Sequence, residues 1–451
     1  MLPTLMLLAA LASSTPRVLT VGERGEFASL SSALKAASPG DTIRVTGGVY
    51  PGPVLIDKSI TLEGHEWPVI DGGKSGTVVT LSAPGIVLRG FEIRGSGIEP
   101  DLDHSGVTVT ALHVTVENNR LRDVLFGIFV SQAGQCVVRG NDIGGKDDLE
   151  EGRRGDAIRL WYSPQVLIEN NVVHNSRDTV IWYSQRCTVR GNRIEHGRYG
   201  IHLMYTDAVD IENNVLRNNA VGIYVMYSTG VTMIGNDIRG HRGPSGYALG
   251  FKDADRVRVE RNLLIDNRAA VFCEGTPFQP GGFARFEQNV FAFNEQGVMI
   301  SASNAGASFT NNTFWENAEQ VSIPNSGSST LVQWRGNYWS DDAGFDLDGD
   351  RQNDQPYRAD KLFEGLTDRE PALRILLYSP AAQALELASS AFPVMRPVPK
   401  VDDPIPAAQP LPLPVVSDGA PAPSAQLALA GAVLLLLCAM TASSVWIRRA
   451  R

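Results

Sequence analysis

One short phrase recurs through the middle of the chain and restricts the folds that this chain can adopt. The phrase alternates apolar and polar residues around an Asn and returns at intervals of 21 to 30 residues. Its ten copies carry Asn119, Asn141, Asn171, Asn192, Asn214, Asn236, Asn262, Asn289, Asn312 and Asn337. Alternation with period two is typical of strands, and self-similarity at a fixed period is typical of a solenoid. The repeat therefore predicts an all-β fold, a right-handed single-stranded parallel β-helix.

The β-helix is predicted to contain about 12 coils and to occupy residues 17–345. Two stretches before the first Asn copy have the pattern of earlier coils, in which Phe91 or another residue replaces Asn. Because Asn side chains at equivalent corners can bond to one another along a stack, we assign the Asn column a structural role. Residues 27–36 place Phe27, Leu30 and Leu34 on one helical face. They predict a helix that caps the N-terminal end of the stack.

The two ends of the chain predict its compartment. Residues 1–15 contain an apolar stretch and small residues at Ala10 and Ala12, which resembles a secretory signal peptide. Residues 427–447 carry no charge and precede a basic tail at 448–451, so they predict a transmembrane helix with a cytoplasmic C-terminus. A Pro-rich linker at 393–426 should separate this helix from the body. We therefore expect a periplasmic, extracytoplasmic body that is anchored in the cytoplasmic membrane.

Charge and cysteine placement exclude two classes of protein. The net charge of −9 argues against a nucleic-acid-binding protein, since such proteins need a basic surface. Cys136 and Cys187 each lie five residues before an Asn of the repeat, a position that points into the coil. They lie two coils apart, about 9–10 Å, which is beyond the reach of a disulfide. The chain is therefore not a disulfide-stapled domain.

Two columns of side chains on a second repeated strand predict a metal site. Period-two alternation places these columns on the outside of the coils. The first contains Arg159, Val180, His202, Tyr224, Gly250 and Phe272, and the second Trp161, Trp182, Met204, Met226, Lys252 and Glu274. Met204 and Met226 lie one coil apart, and His202 shares their face. Thioethers and an imidazole form a soft ligand set that suits Cu(I), and Trp161, Trp182 and Tyr224 would flank it.

Other interpretations of these residues stay open at this point. The Met, Trp and Tyr side chains could form an apolar patch that a loop or a partner protein covers. Three other histidines lie past the Asn corner or in loops: His174, His196 and His241. They could be auxiliary ligands of the same site or solvated turn residues. A carbohydrate-active β-helix would need clustered carboxylates. The candidates lie mostly at strand ends beside Arg or Lys, where ion pairing also explains them: Asp156, Asp178, Asp207 and Asp253.

The segment 346–392 is predicted to be an acidic loop followed by a helical C-terminal cap. Asp346, Asp348 and Asp350 have the spacing that begins a Ca²⁺-binding loop. The segment has Arg351 where such a loop has Gly at its sixth position, and it lacks Glu at the twelfth. The sequence therefore allows two interpretations, a calcium site or a set of turn-capping aspartates.

With these residues in view, the sequence resembles the NosD family, the β-helical maturation factors of nitrous oxide reductase. The matching runs are GDAIRLWYS, RDTVIWYS, GRYGIHLMY, GIYVMYS, RGPSGYALGFKDAD and DLDGDRQNDQPY. Together with the N-terminal run VYPGPVLIDKSITLEGHEWPVIDG, they extend the resemblance over most of residues 18–392. The β-helix repeat itself is shared with carbohydrate-active enzymes, whereas these runs are much more specific.

The resemblance implies a non-enzymatic protein that works outside the cytoplasm with an ABC transporter, a permease plus a cytoplasmic ATPase. It implies that a copper-chaperone lipoprotein hands Cu(I) to this chain. It also implies that the chain helps to build the copper sites of apo nitrous oxide reductase, with copper alone or with sulfur as cargo. Members of the family are usually soluble, so the predicted membrane helix is a departure. The alternative function is a polysaccharide lyase or epimerase of the same fold that acts on cell-surface carbohydrate.

Overall fold

The alternating repeat forms short strands that stack into three parallel sheets. The computed structural model of the chain describes residues 15–300, 305–324, 331–392, 394 and 397–412. Within these residues sheet A has 14 strands, sheet B has 13 and sheet C has 12, and neighbouring strands are parallel. The chain passes from sheet A to sheet B to sheet C in each complete coil. The predicted parallel β-solenoid is thereby confirmed.

The strands are short, most of them three to six residues long. Sheet A consists of Val18–Val21, Thr42–Thr46, Thr61–His65, Val87–Arg89, Thr115–Glu117, Val137–Arg139, Leu167–Glu169, Thr188–Arg190, Asp210–Glu212, Thr232–Ile234, Val257–Glu260, Ala284–Glu287, Ala307–Thr310 and Gln333–Arg335. Sheet B consists of Val49–Pro51, Val69–Asp71, Glu92–Arg94, Arg120–Arg122, Asp142–Gly144, Val172–His174, Arg193–Glu195, Val215–Arg217, Asp237–Arg239, Leu263–Ile265, Val290–Ala292, Thr313–Trp315 and Tyr338–Trp339. Sheet C consists of Val54–Ile56, Val79–Leu81, Ser105–Val109, Phe126–Ser131, Ile158–Trp161, Asp178–Trp182, Tyr199–Met204, Val221–Met226, Tyr247–Lys252, Ala269–Glu274, Gln296–Ile300 and Glu319–Ser322.

Side chains that point inward from the three sheets form one continuous hydrophobic core. Ile201 and Ile223 of sheet C are fully buried and pair in register on successive coils. Near the C-terminal end, Phe286, Phe309 and Trp334 stack with ring-centroid distances of 4.4 and 4.5 Å. Burying one such side chain stabilises the fold by about 1.5–3 kcal/mol. No single coil can bury these residues alone, so each coil depends on its neighbours.

The stack has about 14 coils rather than the predicted 12. The two additional strands of sheet A are Val18–Val21 and Thr42–Thr46, which pair with each other in parallel register. The predicted number rests on the ten Asn copies and two similar stretches before them, and neither of these two strands belongs to such a stretch. Helix α1 (Leu30–Ala36) lies between them in the sequence, so the two strands do not follow one another with the pattern of the other coils.

Helix α1 packs at the N-terminal end of the stack, as predicted. It begins at Leu30 rather than Phe27 because the Ser29 side chain caps it, accepting a hydrogen bond of 3.2 Å from the Ser32 N–H. Leu30 and Ala33 are buried, and the helix contacts the first two strands of sheet A.

The Asn column forms a continuous hydrogen-bonded ladder at the corner between sheets A and B. In each step one amide oxygen accepts from the backbone N–H and the side-chain N–H of the Asn one coil earlier. Asn214 Oδ1, for example, lies 2.9 Å from both Asn192 N and Asn192 Nδ2. The ladder begins with Phe91, whose N–H donates to Asn119 Oδ1 at 3.1 Å. All ten asparagines are buried, so the predicted structural role is confirmed.

The C-terminal end is covered by helices and by a returning segment of chain. Helix α2 (Leu362–Arg369), a 3₁₀ helix (Pro371–Leu376) and helix α3 (Pro380–Ala391) form the predicted helical cap. Two further 3₁₀ turns lie at Pro100–Leu102 and Glu151–Arg153. Asp368 of α2 accepts hydrogen bonds from Ser322 Oγ at 3.0 Å and Ile323 N at 2.9 Å.

Residues 397–412 lie against the solenoid, so the prediction of an extended linker at 393–426 is wrong for this part. Asp402–Asp403 pairs antiparallel with Tyr357–Arg358. The buried Asp403 takes the next place in the Asn ladder, accepting from Asn337 N and Nδ2 at 2.9 Å each. Without Asp403, the last coil would leave these buried donors without an acceptor. Their hydrogen bonds to Asp403 therefore hold the returning segment against the solenoid.

The predictions for the chain ends fall on residues that the structure does not describe. The signal peptide (1–15, of which only residue 15 is described), the transmembrane helix at 427–447 and the tail at 448–451 lie outside the described residues, apart from that one residue. Among the helices of the described residues, none is both long enough and apolar enough to cross a membrane.

The cysteines of the described residues are structural. Cys136, Cys187 and Cys273 are buried and form no disulfide. Burial raises the pKa of Cys187 to about 11 and that of Cys273 to about 12. The prediction that Cys136 and Cys187 point into the core is confirmed.

Candidate metal centre

The outer face of sheet C carries the two predicted columns in the predicted register. His202 pairs with Val180 on one side and Tyr224 on the other, and Met204 pairs with Trp182 and Met226. Adjacent strands lie about 4.8 Å apart, and the thioether side chain is flexible, so two neighbouring methionines can reach one ion. Both methionines are half-buried. The structure thus places the two thioethers and the imidazole on one face, while their binding of metal stays a prediction.

The imidazole of His202 is buried, and neither of its nitrogen atoms makes a hydrogen bond within the described residues. The residue is 9% exposed. Its Nδ1 lies 3.6 Å from Oδ2 of Asp178 on the preceding coil. Among the residues that the structure describes, Nε2 is buried and makes no hydrogen bond. The ring packs edge-on against Tyr199 with a centroid distance of 4.8 Å, so this site holds a buried nitrogen that a ligand would satisfy.

An ion-pair network of buried carboxylates and partly exposed arginines lies beside this histidine. Arg198 Nε donates to Asp178 Oδ1 at 3.0 Å, and its Nη2 bonds the other carboxylate oxygen. Burial acts to raise the pKa of Asp178, but the contacts with His202 and Arg198 outweigh it and hold that pKa below its usual value. Asp156, one coil earlier, accepts from Arg177 Nε at 3.0 Å. Burial, together with the negative charge of Asp178, raises the pKa of Asp156.

Aromatic rings flank the site on two sides. Trp161 and Trp182 pack edge to face with a centroid distance of 5.0 Å. Tyr224 stacks on Tyr199 at 5.6 Å. Burial raises the pKa of Tyr224 well above its usual value, so its phenol stays protonated at neutral pH.

Sequence reasoning missed a column of stacked tyrosines beside the methionines. Tyr162, Tyr183, Tyr205 and Tyr227 stack with ring-centroid distances of 4.9, 5.2 and 4.9 Å. Each has a positive φ, between 48° and 52°, because it occupies the sharp corner that follows its strand. The signal was present in the sequence as the Tyr that follows Trp161, Trp182, Met204 and Met226 in successive coils.

Comparison with known proteins settles the family. The NosD family, described as "Periplasmic copper-binding protein (NosD)", matches residues 143–344, a range that includes His202, Met204 and Met226. A Pseudomonas aeruginosa protein named "Probable ABC transporter binding protein NosD" is 30% identical over 405 residues, which cover 78% of this chain and 85% of that protein. The chain belongs to the NosD family. A Stutzerimonas stutzeri protein of the same name is 28% identical over 402 residues, 78% of this chain and 84% of its own. The resemblance seen in the sequence is thereby confirmed.

Solved structures share the general architecture with this NosD chain at low similarity. PfbA, a surface adhesin of Streptococcus pneumoniae, is 13% identical, with a TM-score of 0.43 over 68% of this chain and 85% of its own. The A-module of an Azotobacter vinelandii mannuronan C-5 epimerase is 15% identical, with a TM-score of 0.45 over 68% of this chain and 92% of its own. At these scores the likeness carries no argument about the site.

The carboxylates considered for a lyase do not form one cluster in this NosD chain. Asp156 and Asp178 are buried in the arginine pairs described above. Asp207 and Asp253 lie at the edge between sheets C and A, where they line an open cavity of about 450 Å³. Asp207 Oδ1 accepts a hydrogen bond from Thr229 N at 3.2 Å. The structure therefore divides the four residues between two places and ties two of them into ion pairs.

The three histidines considered as auxiliary ligands occupy different environments. His241 is fully buried at the corner between sheets B and C, where it replaces an Asn in a second ladder, so its interpretation as a solvated turn residue is wrong. His174 Nε2 lies 3.1 Å from Asp142 Oδ1 on sheet B. His196 is exposed at a corner with φ of 57°.

The acidic loop brings three carboxylates together. One oxygen each of Asp346, Asp348 and Asp350 lies within 4.8 Å of the others. The same side chains cap turns, since Asp346 accepts from Gly349 N at 2.7 Å and from Arg351 N at 2.9 Å. Both interpretations fit this geometry, and calcium binding stays a prediction.

Proposed function

We propose that this NosD-family chain binds Cu(I) as cargo through His202, Met204 and Met226. The observation that carries the proposal is the buried, unpartnered Nε2 of His202 on the same outer face as two methionines in register. Thioether and imidazole donors favour Cu(I) over Zn²⁺, Mg²⁺ and Ca²⁺. Ligation would also satisfy a nitrogen that otherwise stays buried without a partner. The description of the family as copper-binding supports the same assignment.

We place this binding in the maturation of nitrous oxide reductase. The bound Cu(I), alone or with sulfur, would come from a copper-chaperone lipoprotein and pass to the apo reductase. The relatives named as ABC transporter binding proteins support an association with a permease and its ATPase. We propose a periplasmic location with the body anchored by the helix at 427–447. A binding role without enzymatic activity fits these names, and the ion pairing of Asp156 and Asp178 gives no support to a lyase.

The proposal is tested by anaerobic titration of the full chain, purified in detergent, with Cu(I) against a competing chelator. The test variant combines His202→Gln, Met204→Leu and Met226→Leu, which removes the soft donors and keeps the apolar area. We expect the dissociation constant to rise by about 100-fold, which corresponds to about 2.7 kcal/mol.

A control variant changes the same residue types elsewhere. Met233→Leu removes a thioether that is buried inside the solenoid, and His196→Asn removes an exposed imidazole at another corner. This control should bind Cu(I) as tightly as the parent chain. Equal affinity of the test variant and the parent would show that copper binds elsewhere or not at all.

A further inference from the structure

The structure points to Asp178 as the residue that orients His202. We propose that Asp178 keeps the imidazole proton on Nδ1 and thereby presents the lone pair of Nε2 to the bound metal. Asp178 is a positioning residue in this proposal, since it lies behind the ring and touches no cargo. The inference rests on the proposed function only because it names Cu(I) as the ion that Nε2 binds.

The carboxylate of Asp178 is held rigidly beside the ring. It is 3% exposed and receives hydrogen bonds from Arg198 Nε at 3.0 Å and from the backbone N–H of Tyr199 at 3.2 Å. Its second oxygen, Oδ2, is the atom that lies 3.6 Å from His202 Nδ1. Because Arg198 and the Tyr199 N–H already donate to this carboxylate, it acts as a hydrogen-bond acceptor and favours an N–H over a bare lone pair on the neighbouring ring nitrogen.

A local irregularity in the sheet creates this contact. Asp178 pairs with Tyr199 and Val180 pairs with His202, so the register shifts by one residue between these two pairs. A bulge of this kind re-aims the side chains beside it. Gly200 lies within the bulge. A Cβ at this position would stand 2.5 Å from Leu216 Cδ2 and 2.7 Å from Gly222 O, which is closer than Cβ atoms pack in proteins.

The two ring nitrogens have opposite surroundings, and this difference selects the tautomer. A neutral imidazole carries one N–H, and its position follows from the acceptors that are available. Nδ1 has the Asp178 carboxylate as its neighbour, whereas Nε2 has no acceptor among the described residues. A proton on Nε2 would therefore be buried without a partner. The proton belongs on Nδ1, and Nε2 keeps the lone pair that a metal needs.

The test begins with the metal-free protein. The chain has only 7 histidines, so long-range ¹H–¹⁵N correlation spectra of the ¹⁵N-labelled full chain can resolve the tautomer of His202. We expect Nδ1–H in the parent chain. In Asp178→Asn the amide can donate to Nδ1, and the proton should move to Nε2 in most molecules.

Two further variants test whether a change of tautomer in Asp178→Asn comes only from a disturbed ion pair or a disturbed fold. Asp178→Asn leaves the partly exposed Arg198 without its carboxylate, so the double variant Asp178→Asn with Arg198→Gln removes the ion pair as a unit. Asp237→Asn is the matched control, because Asp237 is equally buried and bonds Arg217 and Arg239 on sheet B. Asp237→Asn should leave the His202 tautomer unchanged.

Copper titration then separates this inference from the proposed function. We expect both Asp178 variants to bind Cu(I) about 10-fold more weakly than the parent chain, and Asp237→Asn to bind it equally well. An Nε2–H tautomer in the parent, or an Nδ1–H tautomer that survives both Asp178 variants, would overturn the role of Asp178. Failure of the parent chain to bind Cu(I) would overturn the proposed function, and the metal-free spectra would still decide what Asp178 does.

Discussion

Replacement of His241 by Asn should make this protein more resistant to acid. His241 stands in the second ladder, where Asn219 N donates to its Nδ1 at 3.0 Å and its own N–H donates to Asn267 Oδ1 at 3.1 Å. Nδ1 also lies 2.9 Å from the carbonyl oxygen of Asn219, whereas Nε2 is buried and unpartnered within the described residues. A charged ring carries a proton on both nitrogens, so one N–H would lie at Nε2, buried without an acceptor.

The magnitude follows from the shift in protonation. Burial lowers the pKa of His241 from 6.5 to about 4. The unfolded chain takes up a proton as the pH falls through 6.5, whereas the folded chain does so only near pH 4. The stability associated with the neutral ring is therefore complete above pH 6.5 and is lost as the pH falls toward 4. One pKa unit corresponds to 1.36 kcal/mol, so the loss by pH 4 is on the order of 3 kcal/mol.

Denaturant unfolding of the parent chain and of His241→Asn, followed by circular dichroism between pH 8 and pH 4, measures this loss. An amide at position 241 restores the residue type found at Asn219 and Asn267 and does not titrate. The difference in unfolding free energy should change by on the order of 3 kcal/mol in favour of the variant as the pH falls. His196→Asn, an exposed site two coils earlier, should show no such change. A difference that stays constant from pH 8 to pH 4 would refute the reasoning.

Two more predictions concern the end of the ladder and the thiols. Asp403→Ala should lower the unfolding free energy by about 3 kcal/mol, because it leaves the buried N–H groups of Asn337 without an acceptor, and Asp403→Asn should cost less than half of that. Equal denaturant midpoints for the Ala variant and the parent would contradict this role. Of the four cysteines, Cys136, Cys187 and Cys273 should react with a thiol reagent at pH 8 only after unfolding, since all three are buried and burial raises their pKa values. Two or more rapidly reacting thiols in the native protein would contradict their place in the core.

The fold could be predicted from the sequence because its determinants are local and repeated. Alternation of apolar residues specifies which side chains of a strand point inward, and the recurring Asn marks one corner of each coil. The same logic placed Met204 beside Met226, because register in a solenoid follows from counting between equivalent corners. The coil count was too low where that marker is missing, at Val18–Val21 and Thr42–Thr46.

Contacts that cross between coils, or that return from distant parts of the chain, were decided only in the tertiary structure. His241 joins a ladder of amides because a ring nitrogen can accept the same hydrogen bond as an amide oxygen, and no periodicity reports that equivalence. Asp403 completes the Asn ladder from 66 residues away because the last buried amide lacks another acceptor. The contact of Asp178 with His202 depends on a bulge that shifts the register by one residue. The sequence alone thus determined which residues face outward on each strand. The surroundings of the His202 ring depend instead on buried groups of another coil, whose hydrogen bonds form only when the stack is complete.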